Sequence, residues 1–83
     1  MTSAKIKPPK LDLKNMGRRI RQIRGFDLSQ AQFGDMLGIR QNMLSNYENG
    51  RTVAPLEILV KLKAHSGKSI DWIVFGEETT SPR

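Results

Sequence analysis

The sequence contains no cysteine and a single histidine, His65, among its 83 residues. Disulfides and thiolate metal ligands are therefore excluded, and one imidazole would leave zinc with an unfavourable, mostly carboxylate ligand set. Hydrophobic residues nowhere form a run as long as a membrane span or the apolar stretch of a signal peptide. These absences predict a cytoplasmic protein that has no cofactor and depends on packing alone for its stability.

Acidic residues are scarce in the first 25 positions, where eight basic groups face Asp12 alone. The rest of the chain carries six basic and seven acidic groups. Clustered Lys and Arg favour a polyanionic partner because contacts to phosphates release counterions. A solvated basic helix has the same composition, and charge alone leaves DNA, RNA and an anionic membrane open as partners.

The two ends of the sequence differ from its middle. Pro8 and Pro9 exclude a helix near the N-terminus, and residues 1–11 are predicted to form a flexible basic arm. This arm is either a disordered terminus or a segment that lies along a DNA groove. The polar residues 77–83 are predicted to be a disordered tail, which leaves residues 12–76 as one small domain.

Between these ends, apolar residues recur every three or four positions, without the alternation that a strand requires. The spacing predicts five short helices and an all-α fold. Asp12 is the expected N-cap of a first helix over residues 13–24, and Gly25 is expected to follow its end. Phe26, in the loop after this helix, is expected to fold onto the core.

Residues 28–50 are typical of two short helices joined by a tight turn. Ser29 is the expected N-cap of the first, Gly38 ends it, and the second is predicted over residues 40–48. Gly34 inside the first helix costs about 1 kcal/mol relative to Ala, which predicts a close approach of the next helix. The second helix exposes four polar side chains: Gln41, Asn42, Ser45 and Asn46. Amides can pair bidentately with adenine in the major groove, so this face predicts recognition of DNA bases.

Residues around the second helix of this pair are predicted to assist DNA binding. Gln30 lies in the first turn of the preceding helix, where free N–H groups favour a phosphate. Arg40, Arg51 and Thr52 flank the second helix and are expected to contact phosphates, which position a protein without reading sequence. Met43 has two open roles, contact with a thymine methyl group or a place at the margin of the core.

Two further helices are predicted after this pair. The fourth covers residues 55–65, with Leu56, Leu59 and Leu62 as its expected inward residues. The fifth begins after Ser69 as its N-cap and ends at Gly76, with Ile70, Ile73 and Val74 expected to pack inward. The fifth helix carries more apolar surface than one buried stripe requires, which predicts self-association. This surface is assigned to Trp72, Ile73 and Phe75. Alternatively, Trp72 and Phe75 only cover the small core.

Four motifs in one ungapped register carry a resemblance to a known family: Leu28-Ser29-Gln30, Phe33-Gly34, Leu37-Gly38-Ile39 and Glu48-Asn49-Gly50. The chain resembles the Cro/repressor-type helix-turn-helix family of bacterial and phage regulators over about residues 15–76. The resemblance implies a five-helix, lambda-repressor-like domain whose second motif helix lies in the major groove. By position it implies base contacts by the four polar residues of that helix and a phosphate contact by Gln30. It also implies a partly buried salt bridge between Arg24 and Glu48.

The predicted function is sequence-specific binding of double-stranded DNA by a transcriptional repressor that acts as a homodimer. Paired carboxylates and a Gly-rich phosphate loop are lacking, so an enzyme is not predicted, and no small-molecule effector is evident. RNA is a weaker candidate because helical amides suit the B-form major groove. The alternative is a protein-interaction module with the same fold, such as an antitoxin or the partner of a larger regulator.

Overall fold

The computed structural model describes residues 5–8 and 10–77, and five helices form within these ranges. They are α1 (Leu13–Arg24), α2 (Gln30–Leu37), α3 (Gln41–Glu48), α4 (Leu56–Ser66) and α5 (Ile70–Phe75). No strand occurs within the described ranges. The all-α, five-helix prediction is confirmed. The predicted arm falls partly on residues 1–4 and 9, and the predicted tail mostly on 78–83, all outside the described residues.

Local capping signals set where the helices begin. The Asp12 carboxylate accepts the Asn15 backbone N–H at 3.1 Å. Ser29 and Gln32 form a reciprocal capping box, in which each side chain accepts the other residue's backbone N–H. Ser69 accepts the Trp72 N–H at 2.9 Å. The three caps predicted from sequence are confirmed, because capping depends on residues a few positions apart.

The core lies where all five helices meet, and its fully buried side chains are Ile20, Phe33, Leu44, Leu62 and Ile73. Two expectations about this core are wrong. Leu56 is 67% exposed, because Ile58, four residues before Leu62, occupies the inward face of α4 instead. Phe26 is fully exposed, because the short loop after α1 leaves only Leu28 packed against the core.

Two glycines allow α3 to lie close to its neighbours. A Cβ atom on Gly34 would lie 3.0 Å from the Ile39 carbonyl oxygen in the turn and 3.6 Å from the Gln41 nitrogen at the start of α3, so the predicted close approach is confirmed. A Cβ atom on Gly17, in α1, would collide with the Glu48 carbonyl and lie 2.7 Å from the Tyr47 carbonyl oxygen. The C-terminal end of α3 therefore rests directly on the backbone of α1.

Cross-helix hydrogen bonds fix the remaining elements. Arg19 on α1 donates from Nε to the Ile73 carbonyl at 2.8 Å and from Nη2 to the Val74 carbonyl at 3.0 Å. Lys61 on α4 donates to the Leu37 carbonyl at 2.9 Å. Both cations satisfy carbonyl groups at the C-terminal ends of short helices, where the helix dipole also favours positive charge. None of the described helices has the length and apolar character needed to cross a membrane.

Candidate nucleic-acid interface

The outward face of α3 is polar. Gln41 and Asn42 are exposed, and Ser45 and Asn46 are half-buried at the same surface. The opposite side of the helix is buried, through Leu44, Tyr47 and Glu48. The four residues predicted to contact bases thus share one accessible face of a two-turn helix.

A buried ion pair holds the far end of α3. The Glu48 side chain is 3% exposed, and its carboxylate accepts Arg24 Nε at 2.8 Å and Arg24 Nη2 at 3.0 Å. Arg24 also donates from Nη1 to the Leu28 carbonyl at 3.0 Å, so it bridges α1, the following loop and α3. The hydrogen bond to Glu48 raises the pKa of Arg24 above its ordinary value. This is the salt bridge that the family resemblance implied.

Gln30 has a structural contact that sequence reasoning missed. Its Nε2 donates to Glu48 Oε1 at 3.0 Å, so the carboxylate receives three hydrogen bonds from two helices. The side chain predicted to contact a phosphate is thus engaged in joining α2 to α3. The family motif contains both Gln30 and Glu48, but the motif alone does not reveal that they contact each other.

Basic residues stand at both ends of α3. Arg40 precedes the helix with an extended backbone and makes no side-chain capping bond, so its exposed guanidinium is not used to begin the helix. Arg51 and Thr52 are exposed in the loop after α3, and the Arg51 N–H donates to the Asn46 carbonyl at 2.9 Å. Three of the four residues predicted to contact phosphates, Arg40, Arg51 and Thr52, therefore lie at the two ends of the polar face.

Asn49 supports one member of this face, another contact that sequence reasoning missed. Its Nδ2 donates to the Ser45 hydroxyl at 3.2 Å. While its oxygen accepts from Asn49, the Ser45 hydroxyl keeps its own hydrogen as a donor. The spacing of four residues on one helix is the sequence signal that could have suggested the contact.

The predicted self-association surface on α5 is corrected at one residue. Ile73 is fully buried in the core, as its predicted inward position on α5 requires, and it has no surface to offer a partner. Phe75 is 45% exposed. Trp72 is half-buried, and the Lys68 ammonium lies 4.8 Å from its ring centroid. The exposed apolar surface of α5 is thus smaller than predicted and centred on Phe75.

Comparisons with known proteins agree with this geometry. The P22 c2 repressor, solved in complex with a synthetic operator, is 32% identical, with a TM-score of 0.67 over 75% of this chain and 96% of that one. The restriction-modification controller protein C.AhdI from Aeromonas hydrophila is 24% identical, with a TM-score of 0.64 over 75% and 91% of the two chains, and supports the fold alone. No curated protein sequence matches the chain.

A helix-turn-helix family model matches residues 18–73, about two thirds of the chain and all of the interface described above. The match includes the Arg24–Glu48 pair and the whole of α3. The chain belongs to this helix-turn-helix family and is a DNA-binding transcriptional regulator, not an enzyme.

Proposed function

We propose that the chain is a repressor that inserts α3 into the major groove of an operator and reads its bases with the polar face of that helix. The observation that carries the proposal is the division of α3 into an amide-rich exposed face and a face fixed by Glu48. Base reading requires such a division, because a side chain must be held at a fixed height to discriminate between base pairs. The complex of the similar P22 c2 repressor with an operator supports it.

Within this proposal, Gln41, Asn42 and Asn46 pair with base edges, and Ser45 donates to an acceptor. An Asn or Gln amide donates to adenine N7 and accepts from adenine N6, which no other base offers in the same arrangement. Ser45, with its oxygen already accepting from Asn49, favours an acceptor such as a purine N7 or thymine O4.

Phosphate contacts in this proposal fix the position of α3 along the groove. Arg40 and Arg51 supply cations at the two ends of the helix, and Thr52 adds a hydroxyl beside the second. Gln30 contributes through its backbone N–H in the first turn of α2, where the helix dipole favours an anion, while its side-chain amide donates one hydrogen to Glu48.

We expect two copies to bind together on a palindromic operator, with recognition helices about 34 Å apart. The exposed part of α5, centred on Phe75 and with Trp72 at its edge, is the proposed contact between copies. Two half-site contacts on one DNA molecule give a higher affinity than one recognition helix of eight residues gives alone.

Selection of bound sequences from a random duplex pool at low salt tests the proposal. We expect a palindromic consensus whose duplex binds the wild-type protein tightly. Changing Asn46 or Gln41 to Ala should weaken this binding by about 5- to 150-fold, the value of one lost bidentate pair. The matched control is Gln22→Ala, which removes an exposed amide from α1 and should leave the affinity unchanged.

Two outcomes would overturn the proposal. Absence of any duplex binding at low salt would favour the protein-interaction module. If Gln22→Ala weakened duplex binding as much as Asn46→Ala, α3 would not be the helix that contacts the bases. Circular dichroism of each variant separates loss of contact from loss of fold.

A further inference from the structure

Met43 is an exposed apolar side chain on a helix whose accessible face is otherwise polar. It is 39% exposed, and it belongs neither to the buried core nor to the partly buried side chains that pack against that core. Part of the thioether side chain is therefore accessible at the surface of α3, where it can contact an apolar group of a partner.

The position of Met43 on α3 is that of a residue close to the bases. Its backbone N–H donates to the Arg40 carbonyl at 3.1 Å, so it lies in the first turn of the helix. The N-terminal residues of a recognition helix are those that contact base edges. Met43 also lies three residues before Asn46, and residues three apart are neighbours on a helix surface.

We infer that Met43 contacts the C5-methyl group of a thymine in each half-site, an inference that rests on the proposed function. In the major groove, an A·T pair presents the adenine N6 and N7 atoms, with which an amide can pair, beside the methyl group of thymine. An Asn and a Met that are neighbours on one helix complement these two features together. The unbranched, flexible thioether side chain can adapt to a methyl group without a preformed pocket.

Deoxyuridine isolates the methyl group, because it differs from thymidine by that group alone. In the duplex selected above, each thymine is replaced in turn by deoxyuridine, and the dissociation constant is measured for every duplex. For the wild-type protein we expect one thymine in each half-site to be sensitive, with a loss of about fourfold, the value of one buried methyl-sized group. Met43→Gln should abolish the loss at that thymine, and Met43→Leu should retain it.

Met36→Gln is the matched control, because Met36 is a 55% exposed methionine on α2 and should keep the wild-type pattern. The inference is overturned if no thymine is sensitive, or if Met43→Gln shows the same sensitive thymine as the wild-type protein. Either result leaves the proposed function standing. Failure of the wild-type protein to bind any duplex overturns both, so the two failures are distinguishable.

Discussion

Glu48 is the single buried charged residue of the described part of the chain, at 7% exposure. A buried carboxylate is stable only when charge and hydrogen bonds replace the lost water, and here Arg24 and Gln30 supply both. The Arg24–Glu48 salt bridge was predicted from the family resemblance, because both residues match positions of the family that form such a pair. The contact of Gln30 did not, because it depends on how two helices meet in space.

Removing one partner of this pair should destabilise the fold strongly. Arg24→Met leaves the Glu48 carboxylate buried and opposed by Gln30 alone, and we expect a loss of about 3–5 kcal/mol in the free energy of unfolding in urea. Arg21→Met, which removes an exposed arginine from the same helix, should change it by less than about 0.5 kcal/mol. Equal effects of the two variants would contradict a structural role for the pair.

The pH dependence of this loss follows from the direction of the pKa shift. The pKa of Arg24 is raised in the folded state by its hydrogen bond to Glu48. A raised pKa gives stabilisation that is complete below the ordinary value and is lost as the pH rises through the raised one. Titration of Arg24 should therefore add no pH dependence to this loss between about pH 6 and pH 9, far below the arginine range.

At the scale of elements, the helix starts were predicted to within one residue, whereas the burial of some side chains was not predicted. α1, α2 and α5 begin where Asp12, Ser29 and Ser69 predicted, because capping is local. The predicted starts of α3 and α4 differ by one residue, since Arg40 and Pro55 are caps rather than first helical residues. The exposure of Phe26 and Leu56 depends on neighbouring helices, which periodicity within one helix does not describe.

Because α3 contacts the backbone of α1 directly, replacement of a helical glycine by alanine should here change the stability in the opposite direction to the usual one. Gly→Ala in a helix interior ordinarily stabilises by about 1 kcal/mol. Gly17→Ala should instead destabilise by about 1–3 kcal/mol, because its Cβ atom would overlap the Glu48 carbonyl at the end of α3. Urea unfolding measures the stability, and titration with the selected duplex measures the accompanying loss of affinity as α3 shifts.

Gly34→Ala is the graded control for this prediction. Its Cβ atom would lie 3.0 Å from the Ile39 carbonyl oxygen, a contact that small shifts relieve. We expect a smaller loss of stability than for Gly17→Ala. A stabilising effect of Gly17→Ala would show that the two helices separate at little cost, and that α3 is not held by this contact.

At the scale of the whole molecule, the charge count overstated the surface available to a polyanion. Of the eight basic residues in positions 1–25, Arg19 binds carbonyl groups of α5 and Arg24 binds Glu48. Both are structural cations, which composition could not distinguish from exposed ones. The cations proposed to position α3 are instead Arg40 and Arg51, in the part of the sequence whose net charge is near zero.

The self-association proposed for α5 concerns the whole molecule, because one eight-residue helix would contact only half of a palindrome. Phe75→Ala removes the main exposed apolar group of α5 and should weaken binding to the full operator by about tenfold, or about 1.4 kcal/mol, since cooperativity between copies is lost. Binding to an isolated half-site should not change. Phe26→Ala, which removes a fully exposed aromatic ring from the loop after α1, is the matched control and should affect neither duplex. Equal weakening on both duplexes would place Phe75 in the DNA contact or the fold, whereas unchanged binding to both would place the contact between copies elsewhere on the surface.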